Sequence, residues 1–191
     1  MADSAGSSAR AFPGLNAPAV GFEQPFAMLE DCHERVQRTL ALLARLRAHV
    51  HTHGVDENAR QAARDVLRYF DVAAPLHHED EELHVFPPLL VHGTPEVTQA
   101  VLQLKQDHLA MSAHWAAARV PLQGLADGER AAFSAEDEAA LERFAGCYAE
   151  HIATEETLVY PAALAVLAEG TLGSMGEEMA NRRGASRKLS K

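Results

Sequence analysis

A pattern of histidine, glutamate, an aromatic residue and proline occurs twice in the sequence. It reads HHEDEELHVFP at 77–87 and HIATEETLVYP at 151–161, so both copies follow HxxxEExxx[FY]P. A step of four residues turns an α-helix by about 40° beyond a full turn, so the histidine and the first glutamate of each copy point the same way. Each copy therefore predicts a chelating pair on a helix: His77 with Glu81, and His151 with Glu155.

Another histidine on an apolar stripe precedes each copy. His33 lies 44 residues before His77, and His108 lies 43 residues before His151. This regular spacing indicates one helical hairpin used twice.

Six imidazole and carboxylate groups on apolar faces need a partner, because an unpaired buried carboxylate costs several kcal/mol or is neutralised by a shifted pKa. Imidazole and carboxylate together suit iron, manganese or zinc, and two carboxylates able to bridge favour two metals about 3.5 to 4 Å apart. The sequence therefore predicts a two-metal site with these ligands: His33, His77, Glu81, His108, His151 and Glu155. The phase of the repeat places His78, Glu82 and Glu156 in an outer shell or toward solvent.

Four segments with helical spacing would position these residues: about 25–50, 58–91, 95–119 and 135–169. Pro75 should kink the second, because proline removes a backbone hydrogen bond and crowds the preceding turn. Long helices joined by short to moderate loops predict an all-α fold, an antiparallel up-and-down four-helix bundle over 25–170. We expect flexible ends, an N-terminal arm over 1–24 and a basic C-terminal tail over 171–191.

Composition excludes several functional classes. The chain is 47% hydrophobic but only 6% aromatic, which favours helices over sheets. A formal net charge of −10 argues against nucleic acid or an anionic membrane as the main partner. The two cysteines form no disulfide framework, and neither a secretory signal nor a membrane span is evident. We therefore expect a cytoplasmic protein.

The paired motifs, each preceded by a helix with one histidine, resemble the hemerythrin-like family, the HHE cation-binding domain, over about residues 26–168. This resemblance implies a non-haem di-iron centre in which Glu81 and Glu155 bridge the irons together with an oxo or hydroxo group. The four histidines would be terminal ligands. Zinc or manganese are the alternative metals.

One departure from the oxygen-carrying members concerns a fifth histidine. Those members have it one turn from another histidine on the third helix, whereas here the two positions one turn from His108 are Leu104 and Ser112. This difference favours reaction with dioxygen or nitric oxide, or sensing of them, over reversible oxygen storage. We thus expect a diatomic ligand and a sensor, scavenger or stress-protective role, with a redox or client protein as a further partner.

Two other functions stay open at this point. One is a non-redox iron or zinc reservoir. The other is a di-iron oxidase, peroxidase or nitric oxide reductase fed by an external electron donor. Ligand spacing alone does not choose among these functions.

Three other residues in or near the motifs have weaker signals. His84 gives the first motif an ExxH spacing like that of ferritin-like bundles, but Leu158 replaces the second histidine that such a site needs. Cys147 lies one turn before His151, where it is a core residue or a thiol near the metals. Asp107 could orient a ligand histidine.

Overall fold

The computed structural model describes residues 21–185, and every regular element in this range is helical. Five helices follow one another: α1 (Pro25–His53), α2 (57–92), α3 (Pro95–Ala126), α4 (Ala135–Val166) and α5 (Glu169–Arg182). The predicted all-helical class is confirmed. The first four helices correspond to the predicted segments, α5 is additional, and the antiparallel up-and-down order stays a prediction.

Local signals set where the helices begin and end. Helix α1 begins with Pro25 and ends before Gly54, whose φ of 79° favours a residue without Cβ. The side chains of Asp56 and Thr94 accept hydrogen bonds from backbone N–H groups in the first turns of α2 and α3. A reciprocal capping box between Ser134 and Asp137 begins α4.

Helices α2 and α4 contain wider, π-helical turns. Those in α2 are Tyr69–Ala73 and Glu81–Val85, and the one in α4 is Glu155–Val159. The remaining pieces are α-helical: Glu57–Arg68, Ala74–Asp80 and Phe86–His92 in α2, and Ala135–Gly146, Tyr148–Thr154 and Tyr160–Val166 in α4. Two of the wide turns therefore begin at the first glutamate of the repeated motif.

A proline follows each wide turn by two residues, namely Pro75, Pro87 and Pro161. Proline has no N–H and its ring crowds the carbonyl four residues back, and a π turn relieves this conflict by moving the hydrogen bonds to residues five apart. In the motif copies, the carbonyls of Glu81 and Glu155 accept from the N–H groups of Phe86 and Tyr160. Instead of a kink at Pro75, the structure has a widened turn on its N-terminal side, at Tyr69–Ala73.

Helix α3 continues past the predicted end at residue 119. Pro121 lies inside it, and Leu122 and Leu125 are completely buried. Burial of two leucines, at about 1.5–3 kcal/mol each, offsets the unfavourable helix propensity of Pro121 and Gly124, which is about 4 kcal/mol together.

Two apolar clusters pack on either side of the repeated motifs. One contains Phe70, Met111, Leu122 and Phe144. The other contains Phe26, Leu104, Phe86 and Tyr160, together with residues of α5. The candidate metal ligands lie between these clusters.

Helix α5 corrects the prediction of a flexible tail from residue 171. Met175 and Met179 are buried in the second cluster, and Gly176 lies so close to the carbonyl of Phe22 that a Cβ would clash with it. Only two buried methionines mark its inner face, which is why the sequence pattern was weak. Residues 1–20 and 186–191, with most of the predicted arm and the last basic residues, lie outside the described range.

The fully buried carboxylate of Asp80, next to Glu81, fastens α5 to α2. Nη2 of Arg183 lies 2.5 Å from Oδ2 of Asp80, and Nη2 of Arg182 lies 3.2 Å from Oδ1. His84 adds a contact of 2.6 Å to Glu178 on α5. Two arginines of the predicted basic tail therefore form ion pairs with a buried carboxylate of the helical fold.

Among residues 21–185, no single helix has the length and apolar character to cross a membrane. The pair formed by Ala135–Val166 and Glu169–Arg182, bent by 118°, meets those two conditions only when taken together.

Candidate metal centre

The structure brings all six predicted ligands together in the interior. Each is at most 4% exposed, and they come from four helices: His33 from α1, His77 and Glu81 from α2, His108 from α3, and His151 and Glu155 from α4. That they bind metal stays a prediction.

These six residues form two overlapping groups. In position A, ligand atoms of His33 and His77 lie within 4.8 Å of one another and of both glutamates, and in position B the same holds for His108 and His151. Glu81 and Glu155 belong to both groups. Two shared carboxylates with two imidazoles on each side can hold two neighbouring cations.

The distances follow this division. Nε2 of His33 lies 3.2 Å from Oε2 of Glu155, and Nε2 of His151 lies 3.1 Å from Oε1 of the same carboxylate. Glu81 is placed likewise, with its Oε1 3.4 Å from Nε2 of His77 and its Oε2 3.5 Å from Nε2 of His108. Each carboxylate thus faces one histidine of each position.

Unsatisfied polar atoms test whether these residues fit a metal. Five ligand atoms are buried without a hydrogen bond: both carboxylate oxygens of Glu155, Oε2 of Glu81, and Nε2 of His108 and His151. Nε2 of His151 nevertheless lies only 3.1 Å from Oε1 of Glu155. Buried polar atoms in native proteins nearly always have a partner. Because these five atoms face positions A and B, the donor set fits bound cations.

Ionisation of the two glutamates differs in the metal-free protein. Burial and the adjacent charge of Glu155 raise the pKa of Glu81 well above its usual value. Burial acts in the same direction on Glu155, but His151 and His33 outweigh it and hold the pKa of Glu155 below its usual value. Burial also lowers the pKa of His77 and His108. These two imidazoles are therefore neutral near pH 7, as metal ligands must be.

The second glutamate of each motif crosses to the other half of the repeat. Oε1 of Glu82 lies 2.9 Å from Nδ1 of His108, and Oε1 of Glu156 lies 2.8 Å from Nδ1 of His33. A carboxylate that accepts from Nδ1–H leaves the lone pair of Nε2 directed at the metal position. Asp107 stands at a longer 3.5 Å from Nδ1 of His151, rather than orienting the adjacent His108.

The aromatic residue of each motif also packs on the histidine of the other half. Phe86 stacks on His108 with ring centroids 5.6 Å apart, and Tyr160 stacks on His33 at the same distance. The buried hydroxyl of Tyr160 donates to Oε1 of Glu81 at 2.5 Å and lies 3.3 Å from Nε2 of His33. Position A therefore has a hydroxyl where position B has only a hydrocarbon ring, a difference that sequence reasoning missed.

His78 is the second residue that sequence reasoning missed. Its ring stacks on His108 with centroids 4.0 Å apart and planes 12° apart, and its ligand atom belongs to a third group with those of His108 and His151. Burial and the neighbouring imidazoles lower the pKa of His78 to about 3. The prediction of an outer or solvent-facing position did not anticipate this proximity.

A cleft of about 360 Å³ between α2 and α3 reaches the edge of position B. Its walls are mainly apolar, with Phe70, Leu109 and Trp115 among them, and its polar side includes His78, Glu82 and His108. Trp115 also donates to Asp71 at 3.0 Å and packs on Phe70, so it serves both the core and the cleft.

Two other sequence candidates lie apart from the centre. His84 pairs with Glu178 and joins none of the three ligand groups, so the ferritin-like ExxH arrangement is not formed. Cys147 packs against the first apolar cluster, and its thiol donates to the carbonyl of Arg143. Burial raises the pKa of the Cys147 thiol.

Comparison with known proteins agrees with this geometry. A family profile described as the hemerythrin HHE cation binding domain matches residues 24–163. An uncharacterized protein of Haemophilus influenzae (strain ATCC 51907 / DSM 11121 / KW20 / Rd) is 34% identical over 162 residues, which cover 85% of this chain and 91% of the relative. The matched residues include the whole of both motifs.

Proposed function

Because the chain belongs to the hemerythrin HHE cation-binding domain family, we propose that it is a non-haem di-iron protein. In this proposal it binds or reacts with dioxygen or nitric oxide, as a sensor, scavenger or stress-protective factor. The observation that carries the proposal is the sharing of Glu81 and Glu155 by two ligand groups. Bound iron would supply coordination of these small molecules and one-electron chemistry.

The chain's own residues would prepare both positions. Glu82 and Glu156 orient His108 and His33 through their Nδ1 atoms, so that Nε2 of each histidine faces the shared carboxylates. The apolar clusters shield the six side chains on two sides, and the cleft beside position B leaves one approach open. An interior of low polarity strengthens the attraction between carboxylates and cations.

Tyr160 would add a proton donor on one side only. Its hydroxyl is bonded to Glu81 and faces position A, while Phe86 faces position B. A small ligand at position A could accept this proton, whereas one at position B could not take it from the equivalent aromatic residue.

Metal content and spectra test the proposal together. Protein produced with iron and purified without oxygen should contain close to two irons per chain, and its visible spectrum should change on addition of air or nitric oxide. Zinc or manganese retained in preference to iron, or a firm content of one metal, would contradict the di-iron assignment. Two irons with no spectral response to either gas would favour the reservoir function.

The cleft beside position B supports a second candidate. A volume of about 360 Å³ is far larger than a diatomic molecule needs, and its aromatic wall suits an organic compound. A di-iron oxidase or peroxidase with an external electron donor would use such a cleft. Multiple turnovers with an aromatic reductant, abolished by Leu109→Trp in the cleft wall, would favour this enzyme over a sensor or scavenger.

A redox or client protein as partner and a cytoplasmic location stay predictions. The antiparallel up-and-down bundle predicted from the sequence would place the four ligand-bearing helices around one interior site.

A further inference from the structure

One polar ring in the cleft beside position B has no hydrogen-bond partner among residues 21–185. It belongs to His78, which lines the cleft together with apolar side chains. The His78 ring is stacked on His108 with planes 12° apart, so nitrogens in these two planes are not directed at one ion. In the part of the chain that the structure describes, no ligand group joins His78 to either shared glutamate. The ring nitrogens of His78 are thus left for something other than a metal at position B.

We propose that this cleft binds a small phenol without an anionic group. The ring of the phenol packs on Phe70 and Trp115, and its hydroxyl hydrogen-bonds to a ring nitrogen of His78. The inference names the class of organic compound for the second candidate function, and in that respect it rests on that function. The binding itself needs no iron.

The apolar side of the cleft has room for one aromatic ring. An apolar cavity of about 150 Å³ holds a benzene molecule, and the cleft has about 360 Å³. The rings of Phe70 and Trp115, with centroids 5.2 Å apart, offer the stacked and edge-to-face contacts that aromatic rings prefer. Leu83 and Leu109 also line the cleft and are more than half exposed, so a bound ring removes part of their apolar surface from water.

His78 selects the substituent that the ring carries. A hydroxyl both donates and accepts hydrogen bonds, so it pairs with a ring nitrogen of His78 in either tautomer. Water in the cleft could form the same bond, but water gains nothing from the apolar wall. A phenol satisfies the imidazole and the wall together, and it then lies next to the stacked pair of His78 and His108 without coordinating position B.

Charges around the cleft act against an anionic ligand. Glu79 and Glu82 line it, and within residues 21–185 no lysine or arginine does. Lys105 approaches Glu82 at 3.5 Å from outside the lining and offsets part of that one charge. A carboxylate on the aromatic ring is therefore repelled, and the formal net charge of −10 on the whole chain adds to this effect.

The single tryptophan of the chain reports on the cleft directly. Trp115 is part of the wall, and its indole N–H donates to Asp71 at 3.0 Å, so this N–H should give one sharp signal in a nitrogen–proton NMR spectrum. Full-length protein, supplied with zinc in place of iron to avoid paramagnetic broadening, is titrated with para-cresol. We expect a saturable shift of this signal, with a dissociation constant of about 1 mM or below.

Two related ligands test the hydroxyl and the charge separately. Toluene is para-cresol without the hydroxyl, and para-hydroxybenzoate has a carboxylate in place of the methyl group. Wild-type protein should bind para-hydroxybenzoate about fivefold or more weakly than para-cresol, because of Glu79 and Glu82. The ratio of the toluene and para-cresol dissociation constants defines the preference for the hydroxyl.

Matched variants assign that preference to His78. His78→Ile introduces the residue that the second motif copy has at this position, Ile152, and His92→Ala removes an exposed histidine of the same helix as a control. The preference should fall about three- to tenfold in His78→Ile, the worth of one neutral hydrogen bond, and stay unchanged in His92→Ala. A merely structural role of His78 would weaken both ligands alike and leave the preference unchanged. If circular dichroism shows that His78→Ile does not fold, His78→Phe replaces it.

Three results would overturn the inference. They are the absence of a saturable Trp115 shift with para-cresol, equal binding of para-hydroxybenzoate and para-cresol, and an unchanged preference in His78→Ile. Each of them leaves the proposed function intact, because that function is tested by iron content and by the spectral response to gases. Protein that binds para-cresol but holds no iron pair would contradict the proposed function and leave the phenol site in place.

Discussion

His33 and Glu156 lie 123 residues apart in the chain, yet Oε1 of Glu156 is 2.8 Å from Nδ1 of His33. Glu82 and His108 make the equivalent contact at 2.9 Å on the other side of the centre. The second glutamate of each motif therefore serves the histidine that belongs to the other copy. This exchange explains why both motifs carry a pair of glutamates when only the first points inward.

Replacing Glu156 by Ala should weaken metal binding at position A, and replacing Glu82 by Ala should weaken it at position B. Loss of a carboxylate that orients a ligand histidine costs about 10- to 100-fold in metal affinity. Competition with a chromophoric chelator measures this change. Glu150→Ala, an exposed glutamate on α4, is the control, and equal affinities in all four proteins would contradict the orienting role.

Replacing Glu81 or Glu155 by Ala should release both metals together, because each carboxylate contributes to both positions. Metal analysis after gel filtration measures the content. Glu82→Ala, which changes the residue next to Glu81, should still bind two metals, with weaker binding at position B. Retention of one tightly bound metal by Glu155→Ala would show that this carboxylate belongs to a single position.

Tyr160→Phe removes the hydroxyl that donates to Glu81 and faces His33. We expect a change in the visible spectrum of the iron-loaded protein and about 10-fold or greater weakening of metal binding, because Glu81 loses the bond that fixes its orientation. Tyr148→Phe, a buried tyrosine of the first apolar cluster, should leave the spectrum unchanged. Identical spectra for wild type and Tyr160→Phe would mean that the hydroxyl does not influence the metals.

Metal binding should release protons and become weaker as the pH falls. Burial and the charge of Glu155 raise the pKa of Glu81, so at a given pH this carboxyl is protonated to a greater extent in the metal-free protein than an exposed glutamate would be. For His33, burial acts to lower the pKa, but Glu155 and Glu156 outweigh it and raise the value. A cation must displace protons from both groups, and lower pH favours the protonated, metal-free form.

Titration of zinc into metal-free protein in weakly buffered solution, followed with a pH indicator, measures this release. We expect about one proton or more per chain at pH 7, and a release that becomes smaller as the starting pH is raised. Zinc uptake without any change in pH would contradict the displacement of protons from Glu81 and His33.

Asp80→Ala should lower the free energy of unfolding by about 1–3 kcal/mol. Loss of one partner of a buried ion pair costs about 3–5 kcal/mol, but the arginines here remain in contact with solvent, and the effect is smaller. Thermal unfolding of the metal-free protein measures the change. Glu177→Ala, on the exposed side of α5, should stay within about 0.5 kcal/mol of wild type.

The repeated motif allowed the sequence to predict which residues face the interior. A histidine and a glutamate four residues apart on a helix share a face whatever surrounds them. The additional helix α5 was not predictable in this way, since its burial depends on Met175, Met179 and the small Gly176 rather than on a long apolar stripe. The contacts of His78 and Tyr160 with the ligand histidines also escaped the sequence pattern. Both depend on side chains that reach from one helix to a histidine of another, and spacing along one helix does not report such contacts.

The separation between His33 and Glu156 has a consequence for how the protein is made. At roughly 5–20 residues per second, a ribosome needs about 6–25 s to add the 123 positions that separate them. Throughout that interval, the nascent N-terminal helix carries a histidine whose inward partners have yet to be translated. If the six residues hold two metals as proposed, both positions are complete only after the last motif has been synthesised. A chain whose translation stops before residue 155 would then lack a ligand of both positions.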